Sequence, residues 1–333
     1  MRYSLRTFFA LVIASGLLFP ISANAAPNLI EVQGRVRDLQ EQATTAAEGA
    51  QEAKVQLAKL KKTLDSVQQQ ASQQGASVTA LNKSIGAIAN ERYKSGPLSQ
   101  SLELLFSTDP TLYLSAAGSL EAVTRQKTAD LKKFSVATQR LTATSLTVAD
   151  KLAMVKAAEA KFTRQLALAN SKLKEAEALL AKLTAAERER LAKLTEDEED
   201  ADQKKSLSDA SKYSSVSGRG GVAIKYALAQ IGDKYVFGAD GLTYWDCSGL
   251  TMRAFAAAGV SLPHSSRAQY RYGKAVAKKD LQPGDLVFFG KPISHVGIYL
   301  GPDRMLHAPR SGSRVKIANM NMGKKPYIGA RRL

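Results

Sequence analysis

The stretch "YWDCSGLTMRAFAAAG", residues 244–259, holds the only cysteine of the 333-residue chain, Cys247. Asp246 and Ser248 are favourable helix-start residues and Gly259 a favourable stop, so the segment from Cys247 onward reads as a helix with the thiol in its first turn. Unpaired backbone N–H groups and the helix dipole at that position favour a thiolate. One cysteine cannot form an internal disulfide. Three readings stay open on these residues alone: a buried inert thiol, an intermolecular bridge, or a nucleophile.

Moving outward, "GVAIKYALAQIG" (221–232) reads as a preceding helix. After the cysteine helix come short β-rich runs: "DLVFF" (285–289), "HVGIYLG" (295–301), "RMLHAP" (304–309), "RVKIAN" (314–319) and "YIGARRL" (327–333). Turn residues separate them. Helices followed by strands predict an α+β domain with an antiparallel sheet carrying helices on one side. His295 opens one strand, 48 positions after Cys247, and His307 lies 12 positions further in the next. If those strands form a hairpin beside the helix, His295 is placed to take the thiol proton and His307 to orient its ring. His264, in "SLPHSSRAQ", reads as a packed or surface histidine. One cysteine with two distant histidines is a poor metal signature, so no metal site is expected.

The region before this domain is of a different kind. From Leu29, steps of three and four land on apolar residues through Ile88, with Gln74 the one break. A second series runs from Leu131 through Phe134, Leu141, Val148, Leu152, Val155, Phe162, Leu166, Ala169, Leu173, Ala176 and Leu180 to Leu183, interrupted at Thr138, Ser145 and Glu159. Seven-residue repeats of this length predict long helices wound on a partner. Gly96, Pro97 and Pro110 lie between the arms, so residues 26–195 read as an antiparallel coiled-coil hairpin with a connector near 94–119. A parallel dimer is the competing arrangement. Residues 196–220, an acidic cluster followed by Ser, Lys and Gly, have the composition of a linker. Residues 221–333 form the α+β domain.

Residues 1–25 read as a secretory signal: Arg2 and Arg6, an apolar core from Phe8 to Ile21, and "ANA" ending at Ala25. The apolar run is shorter than the roughly 20 residues that span a bilayer. A protein acting outside the membrane, secreted or wall-associated, with no retained transmembrane segment, is expected; a retained anchor is the alternative. Charge is uneven. Residues 207–333 carry 19 Lys and Arg against 7 Asp and Glu. Such a domain suits an anionic neighbour, although export and the lack of a binding motif argue against nucleic acid.

The motifs "KYVFGADGLTYWDCSG", "LQPGDLVFFG" and "SHVGIYLGPDRMLHAP" resemble the NlpC/p60 family of papain-like cell-wall cysteine peptidases over roughly residues 220–333. The resemblance implies Cys247 as nucleophile, His295 as base and His307 as orienting residue, with Tyr235, Asp246 and Ser248 shaping the substrate site. It implies hydrolysis of a stem-peptide amide of peptidoglycan, between D-γ-glutamyl and a diamino acid, with no cofactor. Lys234, Phe237 and Ala239 depart from the family's usual "PYVWGG", which bears on the cleft wall. The helical arms are similar to those of secreted division-associated hydrolases and activators that dock on membrane complexes of the FtsE-FtsX type. Alternatives are an N-acetylmuramoyl-L-alanine amidase using the same thiol chemistry, and a non-enzymatic scaffold or activator that binds the wall. A long hairpin lying across the cleft until a partner moves it would restrain such a hydrolase; a passive spacer is the plainer alternative.

Overall fold

The computed structural model describes residues 28–95 and 110–333. The proposed signal segment and most of the connector lie outside the described residues. Two helices, α1 (Leu29–Ser95) and α2 (Pro110–Ala181), pair along their length as an intramolecular hairpin. The helix boundaries differ from expectation at the connector. Residues 110–119 belong to α2, because proline is well tolerated at a first helical position, where its missing N–H is no loss.

In the first arm the predicted seam, including Leu57, Leu64, Val67, Val78, Leu81, Ile85 and Ile88, is buried or half-buried. A two-helix ribbon can cover its seam only partly. The second arm keeps most of the predicted positions inside, among them Phe134, Leu141, Val148, Val155, Phe162, Ala169, Ala176 and Leu183, and departs from the prediction at a few. Leu131 and Leu152 are 55% and 41% exposed, whereas Ala137, Thr144 and Ala158 face inward. The apparent interruptions at Thr138, Ser145 and Glu159 each sit one position beyond a true seam residue. Small and polar residues fill those few places, so hydrophobicity alone put Leu131 and Leu152 in the seam in error.

The segment expected as a linker is a third helix, α3 (Ala185–Ala210), opened by a capping box in which Thr184 and Glu187 satisfy each other's backbone N–H. The pattern T-x-x-E was present in the sequence as a signal of this start. The acidic run is held against the edge strand β7 (Lys316–Asn319) instead of being solvated. Glu199 and Asp202 accept from Lys316 at 2.9 and 2.8 Å, and Asp200 accepts from Arg314 at 2.7 Å. Ser206 Oγ accepts the edge N–H of Ile317 at 3.0 Å. The helix thus covers a sheet edge that would otherwise present unpaired backbone groups.

The C-terminal domain begins with α4 (Gly218–Leu228) and a two-residue parallel pair, β1 (Lys234–Tyr235) with β2 (Tyr244–Trp245). Then come α5 (Cys247–Ala257), the short α6 (Ser266–Gln269), and β3 (Lys274–Val276). The remaining strands are β4 (Leu286–Phe289), β5 (His295–Gly301), β6 (Arg304–His307), β7 and β8 (Tyr327–Arg332). They form one antiparallel six-stranded sheet in the order β3-β8-β4-β5-β6-β7. The five longer strands fall where the β-rich runs predicted; β1, β2 and β3 are too short to leave a period. All of β4 is buried, with Leu286 and Phe288 packed toward α4 and α5 and Val287 and Phe289 on the opposite face.

Gly249 fixes how closely α5 approaches the 239–240 loop. A Cβ there would stand 2.3 Å from the Ala239 carbonyl oxygen and 3.0 Å from the Asp240 Cα, and backbone cannot step aside cheaply. We predict that Gly249→Ala destabilises the domain by about 2 kcal/mol or more in chemical denaturation, an overpacking cost. An unchanged midpoint would contradict the packing described.

Candidate active site

Cys247 is the first residue of α5, and Asp246 is its N-cap. The Asp246 carboxylate is fully buried and accepts from the Gly249 N–H at 2.7 Å, the Gly238 N–H at 2.9 Å and Ser248 Oγ at 3.1 Å. His264 Nε2 lies 2.9 Å from both of its oxygens. Read from sequence as an ordinary packed or surface residue, His264 is in fact a member of this anchor. Burial works against its protonation, but the hydrogen bond and charge of Asp246 outweigh that and raise its pKa above 6.5. No local motif marks it; only the chain's return from α5 to α6 brings it there.

The thiol lies near the start of β5, where the Val296 backbone N–H favours the thiolate, the smallest of the effects on its pKa. His295 is therefore the neighbouring residue on that strand. The β5–β6 hairpin forms as the sequence suggested, and His295 Nε2 lies 2.8 Å from His307 Nδ1 with the two rings near-perpendicular. Gly297 makes room for this pair: a Cβ on it would be 3.3 Å from that of His307. Both histidines are buried, and burial is the first cause of their lowered pKa values. His307 falls to about 3, with Lys316, Lys325 and Arg310 adding to the effect, and His295 lies well below 6.5. Both imidazoles are neutral at neutral pH. Among the described residues His295 Nδ1 has no hydrogen-bond partner, which leaves it able to accept a proton if Nε2–H donates to His307.

One partner of the site was not foreseen. Glu48, from α1, enters the cleft and accepts four hydrogen bonds: from Cys247 Sγ at 3.3 Å, Ser248 Oγ at 2.8 Å, Ser266 N at 2.9 Å and Ser266 Oγ at 2.7 Å. Glu52, one turn on, accepts from Arg267 at 2.8 Å, and Phe237 of the cleft wall packs on Ala46, Ala47 and Ala169 of the hairpin. Tyr235 is buried at the same junction. Residues 46–53, "AAEGAQEA", are buried on every side, because one face of α1 meets α2 and the other meets the C-terminal domain. Alanine and glycine permit both approaches. The heptad rule reads only one face of a helix, which is why this second contact stayed invisible.

Glu48 also reverses the expectation for the thiol. The helix start was to lower its pKa; instead burial, then the charges of Glu48 and Asp246, hold it well above 9. Burial and Asp246 in turn raise the pKa of Glu48 itself. In this arrangement the sulfur is a protonated, covered thiol, and the imidazole on the adjoining strand is neutral.

A thiol at a helix start, a neutral imidazole on the adjoining strand and a second imidazole behind it are the kinds of group with which cysteine hydrolases work. Residues 232–332, within the C-terminal domain, match the sequence model of the NlpC/P60 family. The chain is 43% identical over 109 residues to a probable endopeptidase of Mycobacterium tuberculosis, a match covering 33% of this chain and 28% of that protein. It is 45% identical over 100 residues to the probable endopeptidase p60 of Listeria monocytogenes (29% and 20% of the two chains). To the peptidoglycan endopeptidase RipA of M. tuberculosis it is 36% identical over 120 residues (32% and 25%). The chain thus spans about a quarter of the length of these relatives. A crystal structure of an NlpC/P60 family protein from Bacillus cereus aligns with 33% identity and a TM-score of 0.33, covering 34% of this chain and 39% of that one.

Alkylation of the full-length protein by iodoacetamide should keep accelerating beyond pH 9, because the thiol ionises above its ordinary value. Glu48→Gln removes the nearest negative charge and should raise the rate at pH 8 about tenfold, the equivalent of one pKa unit. A wild-type plateau near pH 8 would mean that the reacting molecules are ones from which Glu48 has withdrawn.

Proposed function

We propose that this protein is a secreted peptidoglycan endopeptidase that cleaves the stem peptide at the D-γ-glutamyl-diamino acid amide, for remodelling the wall or separating daughter cells. The observation that carries the reading is Cys247 at the head of α5, near the start of β5 and the paired His295 and His307, inside a domain that matches the NlpC/P60 family. Relatives named as endopeptidases support it.

Chemistry follows from the free positions of the site. His295 Nδ1 takes the proton of Cys247, and the sulfur attacks the amide carbonyl. The backbone N–H of Cys247, at the helix start, faces the developing oxyanion. His295 returns the proton to the leaving amine, and water hydrolyses the thioester with the same imidazole as base. His307 holds the ring and stays neutral. Tyr235 and Ser248 border the substrate cleft, while the Asp246 carboxylate, with its bonds directed inward, keeps the helix start in place.

The hairpin acts as restraint in this reading. Glu48 occupies the space above the sulfur and blocks the base's task by keeping the thiol protonated. Burying a carboxylate costs several kcal/mol, and its four charge-assisted hydrogen bonds offset that cost without a large surplus. Docking of this kind is reversible, which is what a partner acting on the membrane side, of the FtsE-FtsX type, would require.

The test uses purified peptidoglycan and mass spectrometry of released fragments. Wild type should release peptides cut after the γ-glutamyl residue, Cys247→Ala should lose at least 1,000-fold of the rate, and Glu48→Ala/Glu52→Ala should exceed wild type about fivefold or more. Release by Cys247→Ala at the wild-type rate would remove the thiol mechanism. Intact stem peptides would mark an amidase. Equal rates for wild type and the double variant would remove the restraint.

A further inference from the structure

Beside the histidine end of the site lies a groove of about 540 Å³, bordered by Arg267, Lys291, Ser294, Lys324 and Lys325 on the C-terminal domain and by Asp38 and Glu41 on α1. Two of its cations are paired across to the hairpin: Arg267 with Glu52 at 2.8 Å and Lys324 with Asp38 at 2.7 Å. Lys325 is different. It is only 7% exposed, and among the described residues its side-chain nitrogen has no hydrogen-bond partner. Burial lowers its pKa, Glu41 opposes that from a distance, and the two form no ion pair among the described residues. Burial disfavours the charged form of a lysine without a counter-ion, and an arriving anion would restore it, so such a lysine in a groove wall holds a place for an anion.

Position gives the anion its identity. Ser294 immediately precedes His295, and the charge of Lys325 reaches His295, His307 and Cys247. In acyl transfer the fragment leaving as an amine is the one His295 protonates, so it departs on this side. Glu48, in contrast, fills the part of the cleft bounded by Ser248 and Ser266. We infer that Lys325, with Lys291 beside it, is a carboxylate-binding subsite for the leaving fragment, and that it selects stem peptides whose diamino acid carries a free carboxylate over those in which that group is an amide.

This rests on the hydrolase reading, because only that reading makes the fragment a leaving group; binding, however, can be measured without turnover. The groove is open while Glu48 covers the thiol, so full-length protein can be titrated calorimetrically with meso-diaminopimelyl-D-alanine and with the same dipeptide as its carboxamides. Wild type should bind the acid at least tenfold more tightly than the amide. Lys325→Met should erase that ratio, and Lys325→Arg should restore most of it, which a folding defect would not allow; thermal melts of each variant accompany the titration. An equal affinity for acid and amide, a ratio unchanged in Lys325→Met, or tighter binding of inorganic phosphate than of the dipeptide would overturn the proposal. Hydrolysis of the acid and amide forms of L-alanyl-γ-D-glutamyl-diaminopimelate by Glu48→Ala/Glu52→Ala separates the two failures. Equal kcat/KM on both peptides sinks the subsite alone, whereas no cleavage of either sinks the leaving-group assignment with it.

Discussion

The site depends on one buried carboxylate. Asp246 caps α5 through the Gly249 N–H, holds the preceding loop through the Gly238 N–H, and receives His264 from the loop that leads to α6. Helix start, loop and return segment are thus tied to a single group, and the thiol's position near β5 is a consequence. Backbone donors and an imidazole replace the water that this carboxylate gives up, which makes its complete burial tolerable. Gly249 completes the arrangement by letting the loop come within a distance that any side chain would forbid.

On the other side of the cleft, association is governed by charge and by small residues. The basic C-terminal domain is met by acidic groups on α1 and α3: Asp38, Glu52, Glu199, Asp200 and Asp202 each pair with a Lys or Arg of that domain. Several of these pairs are largely exposed and individually contribute little. The Lys316–Glu199 pair is buried, and with the seryl cap on Ile317 it binds α3 firmly to the edge of the sheet. The helical region is therefore joined at two places with different character, a tight one along β7 and an electrostatically costly one at Glu48. Movement of α1 away from the thiol need not separate α3 from the sheet.

Much of the site could be read before any coordinates. Local rules suffice for a helix start around Cys247, because capping chemistry is written in adjacent residues, and for the β5–β6 hairpin, because a short turn leaves few ways to pair. His264 could not be read that way; its partner is 18 positions earlier in the chain and on another element. Glu48 lies 199 positions from the cysteine, on a helix whose periodicity speaks only for its contact with α2. The acidic run of α3 shows the same blindness. Composition describes how a segment behaves in water, and this one is not left in water.

The sequence by itself determined that long heptad helices precede an α+β domain with a cysteine at a helix start and histidines in two adjoining strands, since periodicity, caps and turn residues act over a few positions and need no partner; that the two arms pair with each other came from the tertiary structure. Tertiary structure decided the state of that cysteine. Its pKa is set by which carboxylates are brought near it and how much water is removed, and both depend on contacts between segments that share no local pattern. With α1 elsewhere the thiol would lose the charge of Glu48, and Asp246 would be the remaining carboxylate that raises its pKa.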